Sequence, residues 1–367
     1  MKPTSRQSSF CDTFLAVFRG DDPRRVVWQP RLEYWYEANR RQGTLPDPLR
    51  NASLLDVYDY CHASVRYFTM PLHRRYKEVE VIEEWQDQRC LKVTWHTPCG
   101  ELTELRRYDE FKLSWHNVKY RVEKPQDFDV LRFVLEDEEW YWDQDEYEED
   151  LDRVGSRGCA QFFFRRSPFQ ALSIDYMGYA PLVYALRDHP DVIRNYVRVA
   201  SEADDALYDV LCDSPVQTVN LGENIDASLN PPPVWREYLL PYYRRRIRQL
   251  RSSGKLVHIH VDGSMRPLLP HLGDCPWDGI EAATPRPQGD VSLMEIKQVV
   301  KDRVLLDGIP AVYFLPGQYP VEQLIECSKR VVELFYPRLI LGISDELPPD
   351  GDIERVRLVG ELVEGLA

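Results

Sequence analysis

The chain contains no Cys-x-x-Cys pair, no Gly-x-Gly-x-x-Gly and no Walker A sequence. The first absence argues against a structural zinc ribbon, the second against a dinucleotide fingerprint and the third against a nucleotide P-loop. No run of about 18 apolar residues occurs, which excludes a transmembrane helix. The polar stretch 1–9 lacks the apolar core of a signal peptide, so a cytoplasmic location is expected. Positive charge is scarce: 46 Lys and Arg stand against 60 Asp and Glu, a formal charge of -14. Nucleic acid and anionic membrane both attract a basic footprint, so neither is expected as a partner. Cysteines fall singly at 11, 61, 90, 99, 159, 212, 275 and 327. That scatter suits free thiols in a reducing compartment better than a disulfide framework.

What is present is enough for a large core: 43% of 367 residues are hydrophobic and 12% aromatic. Such a length is compatible with two domains or with one α/β barrel of roughly 250 residues or more. Residues 77–123 alternate polar and apolar in the manner of strands, with Gly100 supplying a turn, and read as a β-meander. Residues 136–152 carry eleven carboxylates and no Lys or Arg. They form either a docking surface for a basic partner or a solvated helix whose aromatics touch the core.

From about 159 onward short apolar runs alternate with helical stretches. Strands are expected at 159–164, 216–221, 256–262, 278–282, 303–307 and 338–343. Helices are expected at 191–211, 233–252, 292–301, 319–335 and 353–365. A further strand at 26–31 follows a helix at 10–19. Strands separated by helices indicate βαβ units and a parallel sheet. Seven strands, with an eighth not located, predict an α/β fold: a (β/α)8 TIM barrel spanning 1–367 as one domain, with the meander 77–123 inserted in it. An open doubly wound sheet is the alternative.

The most informative stretch is Leu256–Gly263, Leu-Val-His-Ile-His-Val-Asp-Gly. Alternation with period two puts His258, His260 and Asp262 on one face and Val257, Ile259 and Val261 on the other. In a barrel the apolar face packs under the helices and the polar face enters the lumen, where active sites assemble at the C-terminal strand ends. Three such groups are costly to bury unless they are hydrogen-bonded or bind an ion. The strand is thus either an active-site strand, its His-x-His suited to a mononuclear metal whose remaining ligands come from other strands, or a bonded polar layer. Gln29 and Arg31 share a face at the end of the first strand; Arg31 is placed to fork a substrate carboxylate or to pair with an acid. Glu223, Asn224 and Asp226 at another strand end suit ligand contact or loop capping. Glu281, Asp307, Asp345 and Glu346 add acids at further strand ends. The remaining histidines read as structural or surface residues.

The order of these motifs resembles the uroporphyrinogen decarboxylase superfamily, which contains the decarboxylases of haem synthesis and zinc-dependent, corrinoid-linked methyltransferases. The resemblance rests on Gly178–Pro190, on the Pro-rich run 231–243, on His260-Val261-Asp262-Gly263 and on Leu347–Val356. It covers about 10–365 and implies a single (β/α)8 barrel. Val27-Trp28-Gln29-Pro30-Arg31 matches the start of the decarboxylase Arg-rich motif, but Trp35 stands at its second Arg. The decarboxylase Phe-Ser-Asp-Ile-Leu motif is absent near 60–75, and Asp345 stands at a family His. Against the methyltransferase zinc motif, His-x-Cys-Gly, the chain keeps His260 and has Asp262 for Cys, and Gly308–Tyr313 holds no second Cys; the resemblance then implies a harder divalent-metal site, for zinc or another ion, from His258, His260 and Asp262 with Glu281 or Asp345. The meander resembles the methyltransferase branch. The expected activity is therefore methyl transfer between a small methylated substrate or thiol and a corrinoid. A corrinoid protein is the expected partner, His260, Asp262 and Arg31 the catalytic groups, and Gln29, Glu223, Asn224, Asp226 and Glu281 the substrate contacts. Decarboxylation of a tetrapyrrole and a non-catalytic corrinoid- or tetrapyrrole-binding module are the rivals.

Overall fold

The computed structural model describes residues 9–110 and 113–365. Seven strands form one all-parallel sheet: β1 (Val27–Trp28), β8 (Gln161–Phe164), β9 (Thr218–Ile225), β10 (Leu256–Val261), β11 (Gly279–Glu281), β12 (Val304–Pro310) and β13 (Leu339–Ser344). Their order is β1-β13-β12-β11-β10-β9-β8, so each strand lies beside its chain predecessor except β8, which stands across a gap from β1, while β13 returns to pair with β1. The gap between β1 and β8 is spanned by 64–66. Ser64 N donates to Trp28 O at 2.8 Å, and Val65 N donates to Arg157 O at 2.9 Å while Val65 bridges Gly158 in parallel. This is the eighth stave that the sequence did not locate. It is too short to show alternation.

The α/β barrel reading therefore holds, and helix positions agree to within about two residues: Pro190–Asp213, the helical run from Pro232 to Ser252 with a π turn at Trp235–Leu239, Leu293–Val300, Val321–Phe335 and Ile353–Glu364. The strands' outward apolar side chains, such as Val257, Ile259 and Val261, are fully buried under these helices. The helix Phe10–Arg19 starts at a Ser9/Asp12 capping box and ends at Gly20, whose φ of 86° suits the left-handed C-cap. Its Phe14 and Phe18 pack with Val27, Leu306 and Ile340 and close the end of the barrel where the strands begin. Each such ring contributes roughly 2–3 kcal/mol by burial. Docking of this helix also joins Cys11 to Cys159 as a disulfide, which corrects the expectation of eight free thiols. The two are 148 residues apart, so no local spacing announces the pair.

The expected meander is a four-stranded antiparallel sheet, β3 (Glu80–Trp85), β4 (Cys90–Thr97), β5 (Gly100–Asp109) and β6 (Ser114–Lys119). Phe111 and Lys112 of the expected strand 111–115 lie outside the described residues. A two-stranded sheet pairs β2 (Leu72–Tyr76) with β7 (Glu138–Trp142). The acidic run is thus not one helix: 138–142 is a strand whose Glu138 and Glu139 meet Arg74 and Arg75, and only Gln144–Val154 is helical. Among the described residues no helix is long and apolar enough to cross a membrane.

Candidate active site

β10 places its polar face in the lumen. His258 is fully buried, His260 is 2% exposed, and the Asp262 side chain reaches the rim at 28%. His260 packs edge-on against Phe163 of β8, with ring centroids 5.5 Å apart. Its Nδ1 lies 3.4 Å from Glu281 Oε2, while its Nε2 faces Asp262 Oδ2 and Asp345 Oδ1, each 3.9 Å away. Burial lowers the imidazole pKa, but the Glu281 hydrogen bond and charge, followed by Asp262 and Asp345, outweigh burial and raise it above its ordinary value. The Glu281 contact thus favours the protonated imidazole over the neutral one.

Glu281 ends β11, at the level of His260 in the barrel register. Its Oε1 accepts from Arg66 Nη1 at 2.8 Å, and its Oε2 accepts from Tyr67 Oη at 2.7 Å and from Asn220. Burial pushes this carboxyl up, yet the His260 hydrogen bond and the Arg66 charge hold it well below the usual carboxylate range. Arg66 is fully buried and also meets Asp307 at 2.9 Å and Gln29 O at 2.8 Å. Asp307 has φ 79°, a left-handed conformation that breaks strand alternation after the inward Leu306 and turns its carboxylate into the lumen as well. Gly342 leaves room for it, because a Cβ there would collide with the Asp307 carboxylate. Tyr67, Ala282 and Asp345 just past strand ends, and Asp307 within β12, all have positive φ, backbone strain of the kind that gathers at functional sites.

Other sequence-predicted residues are placed differently. Arg31 lies at the mouth, but its guanidinium is already paired with Asp345 at 3.0 Å and Glu346 at 3.3 Å. Gln29 is buried below, donating to Ser64 Oγ and Val65 O, and serves stave closure. Glu223 points out of the lumen into the helix layer and accepts from Ser167 N at 2.8 Å; burial pushes its carboxyl up to about 7. Its predicted substrate contact is corrected: alternation after the inward Gly222 sends it outward. Asn224 accepts from Arg166 at 2.8 Å, and Asp226 caps Ser228 N and Ser264 N, so the capping reading of Asp226 prevails. Sequence reasoning missed Arg66, Tyr67 and Phe163. Arg66 carried one usable signal, a lone cation between the apolar neighbours Val65 and Tyr67-Phe68.

His258 sits a layer deeper, facing Phe18 at 5.9 Å, and neither ring nitrogen has a hydrogen-bond partner. Burial pulls its pKa down to about 4. A depressed pKa gives stability that is complete above the unfolded value near 6.5 and is lost as pH falls toward 4, here about 3 kcal/mol. Urea denaturation at pH 7 and pH 4.5 is expected to show this loss in the wild type, and His258→Leu is expected to flatten it by most of that amount. An equal slope in both proteins would refute the assignment.

Residues 163–366 match the family model described as Uroporphyrinogen decarboxylase (URO-D), more than half of the chain. The chain belongs to the uroporphyrinogen decarboxylase family. Among solved structures, a methyltransferase from Methanosarcina mazei is similar at 12% identity and TM-score 0.62, over 98% of this chain and 99% of that one. A B12-independent methionine synthase from Shewanella sp. W3-18-1 in complex with selenomethionine is similar at 10% identity and TM-score 0.44, over 88% and 91%. No curated protein sequence matches the chain.

The zinc that the methyltransferase branch of this family implies does not fit the lumen. Asp262 replaces the motif Cys, and Gly308–Tyr313 supplies none. The predicted ligand set is also divided. Nδ1 of His260 faces the deep side, where His258 Nδ1 stands 3.9 Å from the same Glu281 oxygen, while Nε2 faces the rim carboxylates. His258 therefore cannot join Asp262 and Asp345 around one ion, and Arg31 already neutralises Asp345. Among the described residues, the His/Asp/Glu group whose ligand atoms lie within 4.8 Å of one another is His73, Asp143 and Glu146, outside the barrel beside β2 and β7.

Proposed function

We propose that this family member is a methyltransferase whose barrel mouth takes a small methylated substrate, with His260 as the general acid. One observation carries the reading: the buried His260 imidazole has Glu281 against one nitrogen, which raises its proton affinity, while its other nitrogen faces the rim carboxylates Asp262 and Asp345 without a partner at hydrogen-bond distance. The bond between the methyl carbon and its heteroatom breaks, the electron pair stays on the heteroatom, and that atom takes the Nε2 proton. Glu281 stabilises the imidazolium beforehand and fixes the ring, the orienting role familiar in acid–base pairs. Asp262 Oδ1 is buried without a partner and is suited to accept from a substrate N–H or O–H. The methyl acceptor implied by the family resemblance is a corrinoid, carried by a partner protein, which would supply the nucleophile. The full-length similarity to a methyltransferase supports this choice of branch.

Decarboxylation is disfavoured because both lumen guanidiniums, Arg31 and Arg66, are each already bound to two carboxylates. The test supplies reduced cobalamin with a panel of methylamines, methyl ethers and methyl thioethers and follows the corrinoid spectrum. Methylation by at least one donor is expected. Carbon dioxide release from uroporphyrinogen, or tight corrinoid binding that never turns over and ignores His260→Ala, would overturn the reading.

A further inference from the structure

Outside the lumen, a cavity of about 660 Å³ lies between the four-stranded sheet and the segment that follows β8. Its wall holds Arg74, Arg106, Arg121, Arg165 and Arg166 and one acid, Asp175. So dense a cationic lining runs against a chain of net charge -14. The fold builds it deliberately from separate elements: Arg74 comes from β2, Arg106 from β5, and Arg165 and Arg166 directly after β8. Asn117 Nδ2 donates to Asp175 O at 3.0 Å and Val122 N to Tyr176 O at 2.9 Å, which fixes the sheet against the barrel.

These arginines are under-neutralised. Glu104 is shared by Arg106 and Arg121, and Glu138 by Arg74 and Arg165 at 2.8 and 3.1 Å. Two carboxylates thus serve four guanidiniums, and each planar fork has five N–H donors. Asp204 stands farther off, 3.9 Å from Arg165, and Arg166 takes Asp175 at 3.2 Å. Aromatic faces complete the wall. Arg121 lies 4.7 Å from the Tyr176 ring centroid, Arg165 5.3 Å from that of Trp140, and Trp115 remains 43% exposed. A cavity of this size matches a small-molecule site, and a recess lined by one sign of charge concentrates the opposite one.

We propose that this cavity binds a small organic polyanion, a phosphate ester or polycarboxylate with a flat unsaturated body, its anionic groups on the arginines and its body against Trp115 and Trp140. Arg166 also donates to Asn224 at the end of β9, so the cavity adjoins the barrel mouth and a ligand there would border the reaction centre. The inference does not rest on methyl transfer, and its test reads binding alone.

Calorimetric titration of the full chain with pyrophosphate and, separately, with citrate distinguishes the two anion classes. At least one is expected to bind the wild type, more weakly at higher salt, and to quench tryptophan fluorescence. The double variant Arg106→Gln/Arg166→Gln is expected to bind at least about tenfold more weakly for each arginine removed. If the double variant fails to fold, Arg106→Gln alone, which leaves Glu104 paired with Arg121, serves in its place. Absence of binding by both anions, or equal binding by the folded variant, overturns the proposal.

Discussion

Arg66→Met is expected to lower folding stability by about 3–5 kcal/mol, because it strands the buried carboxylates of Glu281 and Asp307 without their shared cation. Chemical denaturation measures it. Arg66→Lys is expected to recover little, since one ammonium cannot reach Glu281, Asp307 and the Gln29 carbonyl in the geometry of a planar fork. The double variant Arg66→Met/Glu281→Gln is expected to be more stable than the sum of its parts by about 1–3 kcal/mol, the signature of directly coupled groups. Additive losses would show that the two side chains do not share one network. Burial pushes the Asp307 carboxyl up to about 6 against the pull of Arg66, so Arg66→Met is further expected to protonate Asp307 at neutral pH.

The second large effect falls on catalysis. His260→Gln is expected to lower the rate of methyl release by about 10²–10⁴, the range for loss of a positioned general acid. Stability is expected to change by no more than about 1–2 kcal/mol, because glutamine retains an amide near Glu281. A parallel collapse of stability and rate would assign His260 to the core of the barrel instead. Glu281→Gln is expected to lower the rate as well, and to shift its pH dependence toward acid as the imidazolium loses its counter-charge.

Much of this arrangement was legible from residue order alone. The strand 256–262 announced its two faces because Val257, Ile259 and Val261 alternate cleanly with His258, His260 and Asp262, and a one-residue slip would have buried the wrong set. The helices between strands were legible from apolar spacing. The stave 64–66 was not, since three residues carry no period, and with it went Arg66, the cation that organises the lumen. Asp307 was visible as an acid at a strand end, but its inward turn depends on a left-handed backbone that alternation does not foresee. Glu223 and Asp226 looked alike in sequence, and only the register of β9 and the adjoining loops separates a helix-layer carboxyl from a loop cap. The pairing of Cys11 with Cys159 likewise follows from where the first helix docks, not from spacing.

The central claim is that Glu281 raises the proton affinity of His260 at the barrel mouth. Titrating the His260 ring by NMR, assigned by its absence in His260→Gln, tests it without knowledge of the substrate. The expected midpoint lies above the ordinary value of 6.5 and drops on Glu281→Gln. A midpoint at or below 6.5, or one that Glu281→Gln leaves in place, would contradict the claim.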